Sequence, residues 1–240
     1  MSTPTPSSVP TPRRLPSLSP AAILTAAAAL ACCLEASPAS GQDDWGSWHS
    51  VAVTEFETAR VEASAFFQLR LHDANTEVRQ VYVSQRLAVD AHRNLGLGAN
   101  YTYLPTRSPT TGVFLDQHRI ELEATPRVRA SERLNLAFRN RLELRWLEDR
   151  PGVNERSRHR LQANIGRRNA AAIAFFFASD EVFYDWDGAG FNENRLTPVG
   201  LHIALRRSVA FDLYYMVQSE QIDARWNHTH LLGTHAALAW

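Results

Sequence analysis

Lysine is missing altogether: every one of the 25 basic residues in this 240-residue chain is arginine. Arginine carries a rigid fork of donors and stays charged at any ordinary pH, so this bias reflects either GC-rich codon usage or a use for forked donors. Net charge is missing as well. The 25 basic residues are matched by 25 acidic ones, which argues against the basic footprint of a nucleic-acid binder or a polybasic membrane-surface protein. Cysteine is confined to Cys32 and Cys33. Both lie in a segment expected to be removed, so no disulfide or thiol chemistry is expected in the remainder. Beyond residue 42 no apolar run approaches the roughly 20 residues that a membrane-crossing helix needs. Neither a glycine-rich phosphate loop nor a cysteine metal box occurs there, and no cofactor or metal is expected.

The N-terminus has the form of an export signal. Residues 1–20 are rich in Pro, Ser and Thr and include Arg13 and Arg14, and residues 21–34 are almost wholly apolar. That apolar run, about 14 residues long, suits a signal core and is too short for a bilayer span. Small residues at 36–41 supply a cleavage site close to Gln42. Residues 1–41 are therefore expected to be a signal peptide, and 42–240 the mature domain. Cys32 also fits a lipoprotein box weakly, and Arg13-Arg14 a twin-arginine signal, but an ordinary positive n-region accounts for both arginines.

Without an apolar helix, a chain bound for a membrane must cross it as a closed barrel, and the diagnostic is a period of two. Leu134, Leu136, Phe138, Leu142, Leu144 and Trp146 occupy alternate positions, interrupted only by Asn140, while Arg133, Asn135, Arg139, Arg141, Glu143 and Arg145 fill those between. On a strand this presents one apolar and one charged face. A helix would instead scatter the charges around its circumference. The pattern recurs through Arg119, Glu121 and Glu123; through Arg156, Arg158, Arg160, Gln162 and Asn164; and through 95–103 and 211–218. With segments near 51–56, 61–72, 78–89, 173–186 and 196–205, about eleven strands are expected. Pro198 cannot donate to a ladder, which predicts a bulge near Thr197.

Connections near 91–94, 130–132, 167–169 and 206–208 are short and polar, whereas 105–112, 148–155 and 187–193 are expected to be longer and hold much of the Pro and Gly. Such alternation fits an antiparallel transmembrane β-barrel with short periplasmic turns and longer outside loops. The C-terminus places Leu232, Thr234, Ala236, Leu238 and Trp240 in alternation and ends on an aromatic. It resembles substrates of the outer-membrane barrel assembly machinery, with Leu232, Leu238 and Trp240 as the assembly signal. Single-chain bacterial barrels have even strand numbers, so 10 to 12 strands are expected, twelve being favoured over the counted eleven.

Four stretches carry a family resemblance: 140–146 (NRLELRW), 179–185 (SDEVFYD), 191–196 (FNENRL) and 212–216 (DLYYM). In this order they resemble the signature of a family catalogued as domain of unknown function 2490, over about 45–240. The resemblance implies a bacterial outer-membrane barrel and no particular reaction.

On this reading Arg119, Glu121, Glu123, Arg139, Arg141, Glu143, Arg145, Arg156, Arg158, Arg160 and Glu181 point into the lumen as a charge network. Guanidinium forks facing carboxylates across neighbouring strands would either fill the lumen with ion pairs or form a constriction selecting small anionic solutes. Trp45, Trp48, Trp146, Trp186, Trp226 and Trp240 fall near strand ends and are expected at the membrane interfaces; stacking on sugars is the alternative. Ser219 with His228 and His230 is the weak exception to an otherwise non-catalytic picture, since a nucleophile beside a base is what an outer-membrane lipid hydrolase or acyltransferase needs. The expectation is an outer-membrane barrel of a Gram-negative bacterium, a passive pore or a structural and binding element, surrounded by lipid and taking no nucleic acid. A lipid hydrolase and a soluble periplasmic β-sandwich are the alternatives.

Overall fold

The computed structural model describes residues 44–108, 110–166, 173–206, 208–222 and 225–239. The expected signal peptide with Cys32 and Cys33, the turn at 167–169 and Trp240 lie outside these residues. The described residues form only strands and their connections. The wall consists of β1 (Asp44–Glu57), β2 (Val61–His72), β3 (Glu77–His92), β4 (Leu95–Tyr103), β7 (Gln117–Arg129), β8 (Leu134–Leu147), β9 (Arg150–Gly166), β10 (Ile173–Asp185), β11 (Gly190–Arg206), β12 (Val209–Ile222) and β13 (Arg225–Leu238). Two short strands, β5 (Thr106–Arg107) and β6 (Phe114–Leu115), form a hairpin within the β4–β7 connection.

Each wall strand pairs antiparallel with its sequence neighbour, and β1 closes the barrel by pairing with β13. That last pairing is parallel, from Asp44 opposite Thr229 to Val53 opposite Leu238. The result is a closed, mixed barrel of eleven wall strands. The count read from the alternation therefore stands, and the expectation of an even number does not: a parallel seam lets an odd number close. Because β1 runs alongside β13, the Asp44 end of the wall lies opposite the Leu238 end.

Period two decides which way each side chain faces. Leu87, Leu97, Leu122, Phe138, Leu142, Leu161, Ile165, Leu213 and Leu232 all lie exposed on the outer wall, while Arg119, Glu121, Arg141, Glu143, Arg156, Arg158, Glu181 and Arg195 are buried inside. This inverts the pattern of a water-soluble sandwich, whose apolar faces are packed against each other. Two pairs of outward polar groups are bonded to one another. Asn140, the one break in the apolar row of β8, shares a hydrogen bond of 2.8 Å with His159 Nδ1 on β9, and Asn194 Nδ2 donates to Asp180 at 2.7 Å.

A bulge does lie at Pro198, where the register shifts between Leu196 and Val199 against β12 and between Phe177 and Ser179 against β11. The connections differ more from expectation. The spans 148–155 and 187–193 are mostly strand, because β9 begins at Arg150 and β11 at Gly190. Their hairpins shrink to 148–149 and 186–189, since alternation continues through the Pro and Gly that were read as loop. Among the described connections only 104–116 is long. It turns inward at Leu104, which is fully buried, and Thr106 pairs with Gln80 of β3. We call the end carrying this connection the loop end and the opposite end, with the turns at 58–60, 93–94 and 130–133, the turn end.

Candidate functional site: a charged septum across the lumen

Eight-strand barrels are just filled by side chains, so an eleven-strand barrel needs large ones to close. Arginines and aromatics supply them in a circuit that crosses the lumen at mid-height. From β3, Tyr82 Oη donates to Glu121 Oε1 of β7 at 2.7 Å. Arg70 of β2 lies 5.3 Å from the Tyr82 ring and 3.8 Å over the ring of Trp48 on β1. Arg195 of β11 lies 4.8 Å from that same indole and 4.5 Å from the ring of Phe183 on β10. Arg158 of β9 stands 4.6 Å from Phe183 and donates to Glu143 Oε1 of β8 at 2.8 Å. Arg141, 3.9 Å from Glu143, returns to Glu121 at 2.8 Å. Glu121, Glu143 and Phe183, three members of the circuit, are 0% exposed.

The register explains why this is a network and not a set of pairs. Like charges stand directly opposite at Glu121 and Glu143, Arg119 and Arg145, Arg141 and Arg158, and Arg139 and Arg160. Such juxtapositions are destabilising alone, and the carboxylates answer several guanidiniums at once, some directly opposite, as Arg156 to Glu143 and Arg141 to Glu123, and others diagonally. Glu143 accepts from Arg156 Nε at 2.8 Å as well as from Arg158, with Arg119 at 3.7 Å. Glu181 accepts from Arg158 Nε and Nη2 at 3.2 and 3.1 Å and from Arg139 Nη2 at 2.6 Å. Glu123 accepts from Arg141 Nε at 2.5 Å, and Glu193 accepts from Arg195 Nε at 2.6 Å and from Arg156 at 3.4 Å. The planar fork of arginine serves two acceptors at fixed geometry with one side chain, and Arg139, Arg141, Arg156 and Arg158 each use it to reach two carboxylates.

Two chambers flank the septum. The one at the loop end has a volume of about 680 Å³ and is bordered by His72, Arg107, Asp149, Asp185 and Glu220. The one at the turn end, about 380 Å³, is bordered by Arg70, Arg86, Arg139, Arg141, Arg158, Arg160 and Arg195 with only Glu181 and Asp212 as carboxylates, and by Phe66, Phe175, Phe177 and Tyr214. Trp48, Arg70, Arg158 and Arg195 border both.

All eleven residues expected in the lumen network do point inward. Arg119, Glu121, Glu123, Arg139, Arg141, Glu143, Arg156, Arg158 and Glu181 are joined by ion pairs, while Arg145 pairs apart from them with Asp185 at 3.0 Å. Arg160 is not joined to them by any ion pair. The tryptophans divide. Trp45, Trp146, Trp186 and Trp226 are exposed on the outside, all at the loop end. Trp48, expected with them, is 7% exposed and forms part of the septum. It lies on the even, inward row of β1, which runs seven residues further toward the loop end than the alternation from Val51 suggests. Leu232 faces outward, and Leu238 ends β13 at the turn end.

Trp48, Arg70, Tyr82, Phe183, Glu193 and Arg195 were not expected in the site. Phe183, Glu193 and Arg195 fall inside the stretches 179–185 and 191–196 that carry the family resemblance, and their period-two spacing with Glu181 was the available signal. For Trp48, Arg70 and Tyr82 the strand alternation gives a face but no height.

On the outer wall, Ser219 Oγ and His228 Nδ1 share a hydrogen bond of 2.8 Å, while His230 bonds to Tyr215 at 2.6 Å and stacks on Trp45. Among the described residues no side chain bonds the other nitrogen of His228. Nor, among them, does any cluster of three or more His, Cys, Asp or Glu stand ready to hold a metal, and no helix is long and apolar enough to cross a membrane.

The fold and site thus define a class: a closed β-barrel, apolar outside, with an ion-paired septum inside. The family model described as "Protein of unknown function (DUF2490)" matches residues 45–229, and the chain belongs to this family. No curated protein matches it. Among solved structures, a bacterial polysaccharide outer membrane secretin is similar at 10% identity and a TM-score of 0.42, over 75% of this chain and 74% of that one. A likeness this distant supports no transfer of function.

Proposed function

We propose that this protein is a Gram-negative outer-membrane barrel, delivered after loss of its signal peptide by the barrel assembly machinery, and that it serves as a closed binding and structural element of the membrane rather than as an open pore. The apolar outer wall supports the membrane setting, because only in hydrocarbon does such a face lower its free energy by being outermost. Four tryptophans at one rim match the aromatic girdle of a membrane interface. The single observation that carries the functional part is the septum: a circuit from β3 through β1 to β8 whose members Glu121, Glu143 and Phe183 are water-inaccessible. Planar-bilayer recording of the purified protein tests this. No steady conductance above the bare bilayer is expected. A steady, ohmic current that falls on Arg158→Gln or Arg141→Gln overturns the closed reading in favour of an anion-selective pore.

The Ser219–His228 bond favours a second reading, a lipid hydrolase working at the outer wall beneath Trp226. Against it, the strands bearing both residues are laddered to each other along their length, which leaves few free backbone N–H groups there for an oxyanion. Fatty-acid release from phospholipid vesicles that disappears in Ser219→Ala is the result that would establish it.

A further inference from the structure

We infer that the turn-end chamber is a binding site for a small organic anion, with a carboxylate, sulfonate or phosphate group on an apolar body. The inference begins with which guanidiniums the protein leaves unanswered. Around this chamber Arg139, Arg141, Arg158 and Arg195 each have a carboxylate within 4.0 Å. Arg70 donates to Gln68 and to Gln80, both at 2.7 Å. Arg86 and Arg160 have neither kind of partner among the described residues.

Arg160 stands directly opposite Glu181 in the ladder, the position from which an ion pair would be simplest. Yet Glu181 has both oxygens occupied by Arg158 and Arg139, so three arginines compete for one carboxylate and Arg160 is the one left over. Arg86 is held by its face, 3.5 Å over the Phe66 ring. A guanidinium stacked in that way keeps its in-plane N–H donors available. The Nε of each is buried without a hydrogen-bond partner. Enclosed cations lacking a counter-charge are unfavourable, and their forks match the oxygens of a carboxylate or phosphate.

An apolar wall lies beside these charges, and glycines make it. Phe177 lies across Gly200 and Tyr214 across Gly233 so closely that a Cβ on either glycine would overlap the ring. The two rings are therefore laid flat against the wall, and about 380 Å³ stays empty beside them, within the roughly 300–1,000 Å³ of small-molecule sites. Cations and aromatic faces bordering one space select an amphiphilic anion over a bare ion or a neutral molecule.

The inference rests on the closed-septum reading in one respect, that the chamber is a blind vestibule open only toward the turn end. Isothermal titration of the full barrel in zwitterionic detergent and low chloride tests it, with phenyl phosphate, inorganic phosphate and benzyl alcohol as probes. Saturable one-to-one binding of phenyl phosphate is expected, at least tenfold weaker for inorganic phosphate and undetectable for benzyl alcohol. Arg86→Gln and Arg160→Gln should each weaken it tenfold or more, Arg160→Lys should fall between, and Arg107→Gln at the other chamber should leave it unchanged. Absence of saturable binding, or unchanged affinity in both glutamine variants, overturns the site. Equal affinity for inorganic phosphate overturns its organic character. Conductance of the same samples reads the septum separately: an open channel that still binds phenyl phosphate fails the septum and keeps the site, and a closed one that binds nothing does the reverse.

Discussion

Glu143 carries more of the septum than any other single side chain, because Arg156 and Arg158 both donate to it at 2.8 Å and it is 0% exposed. Neutralising it leaves two enclosed guanidiniums short of a counter-charge. Removing one partner of a buried ion pair typically costs about 3–5 kcal/mol, so Glu143→Gln should lower the urea-unfolding free energy by that amount. Glu57→Gln, at an exposed strand end, should change it by no more than about 0.5 kcal/mol. Asn140 and His159 give a second case at this scale. Their 2.8 Å bond on the outer wall satisfies two polar groups that lipid could not in the proposed membrane setting, and a double-mutant cycle with Asn140→Ala and His159→Ala should return a coupling of about 0.5–1.5 kcal/mol. A coupling near zero would mean that the two are separately solvated and that the wall at this height is wet. Asn140 also marks what residue-level reading delivers. Its place in an apolar row was legible, and so was the inward aim of Arg139, Arg141, Glu143 and Arg145, since both follow from period two. The partner on β9 was not, because pairing depends on register, and register is set by turns and bulges elsewhere.

The same limit governs whole elements. Eleven strands were countable from the alternating segments, but the seam was misjudged, because an even number is the rule in bacterial barrels and eleven antiparallel neighbours close only through a parallel pair. The parallel pairing of β1 with β13 is therefore the structural feature with least support in the sequence, and it is open to direct test. Ala52 stands opposite Ala237 in that pairing, and no cysteine occurs after Cys33. The double variant Ala52→Cys, Ala237→Cys should form an intramolecular disulfide on mild oxidation, seen as a mobility shift on non-reducing gels that reductant abolishes. A Val53→Cys, Thr229→Cys pair, which an antiparallel seam of the same extent would bring together, should not. At the wall of the turn-end chamber, Gly233→Ala forces the Tyr214 ring off its seat. Overpacking of this kind costs about 1–3 kcal/mol, and because the ring can only move inward, phenyl phosphate binding should weaken along with stability.

At the scale of the whole molecule, two asymmetries set an orientation. The four described outward-facing tryptophans cluster at the loop end, together with the one long connection, 104–116, whereas the chain approaches its end at Leu238 on the opposite rim. If the proposed outer-membrane setting holds, short turns face the periplasm and longer connections face outward, which would put the 680 Å³ chamber toward the outside and the 380 Å³ one toward the periplasm. On the proposed closed reading, the septum between them would make the two faces chemically independent, each presenting a vestibule to a different compartment. Side-specific labelling decides whether that picture holds. Gly188 sits in the loop-end hairpin, where an added side chain meets no atom within 4 Å, and Asn94 lies exposed in a turn at the opposite end. With a maleimide on a polymer too large to cross the outer membrane, Gly188→Cys should be labelled in intact cells and Asn94→Cys only after the envelope is broken. The reverse pattern would invert the barrel and hand the anion site to the exterior. Labelling of neither until the envelope is broken would remove the protein from the outer membrane, and with it the reason for an apolar wall to face outward.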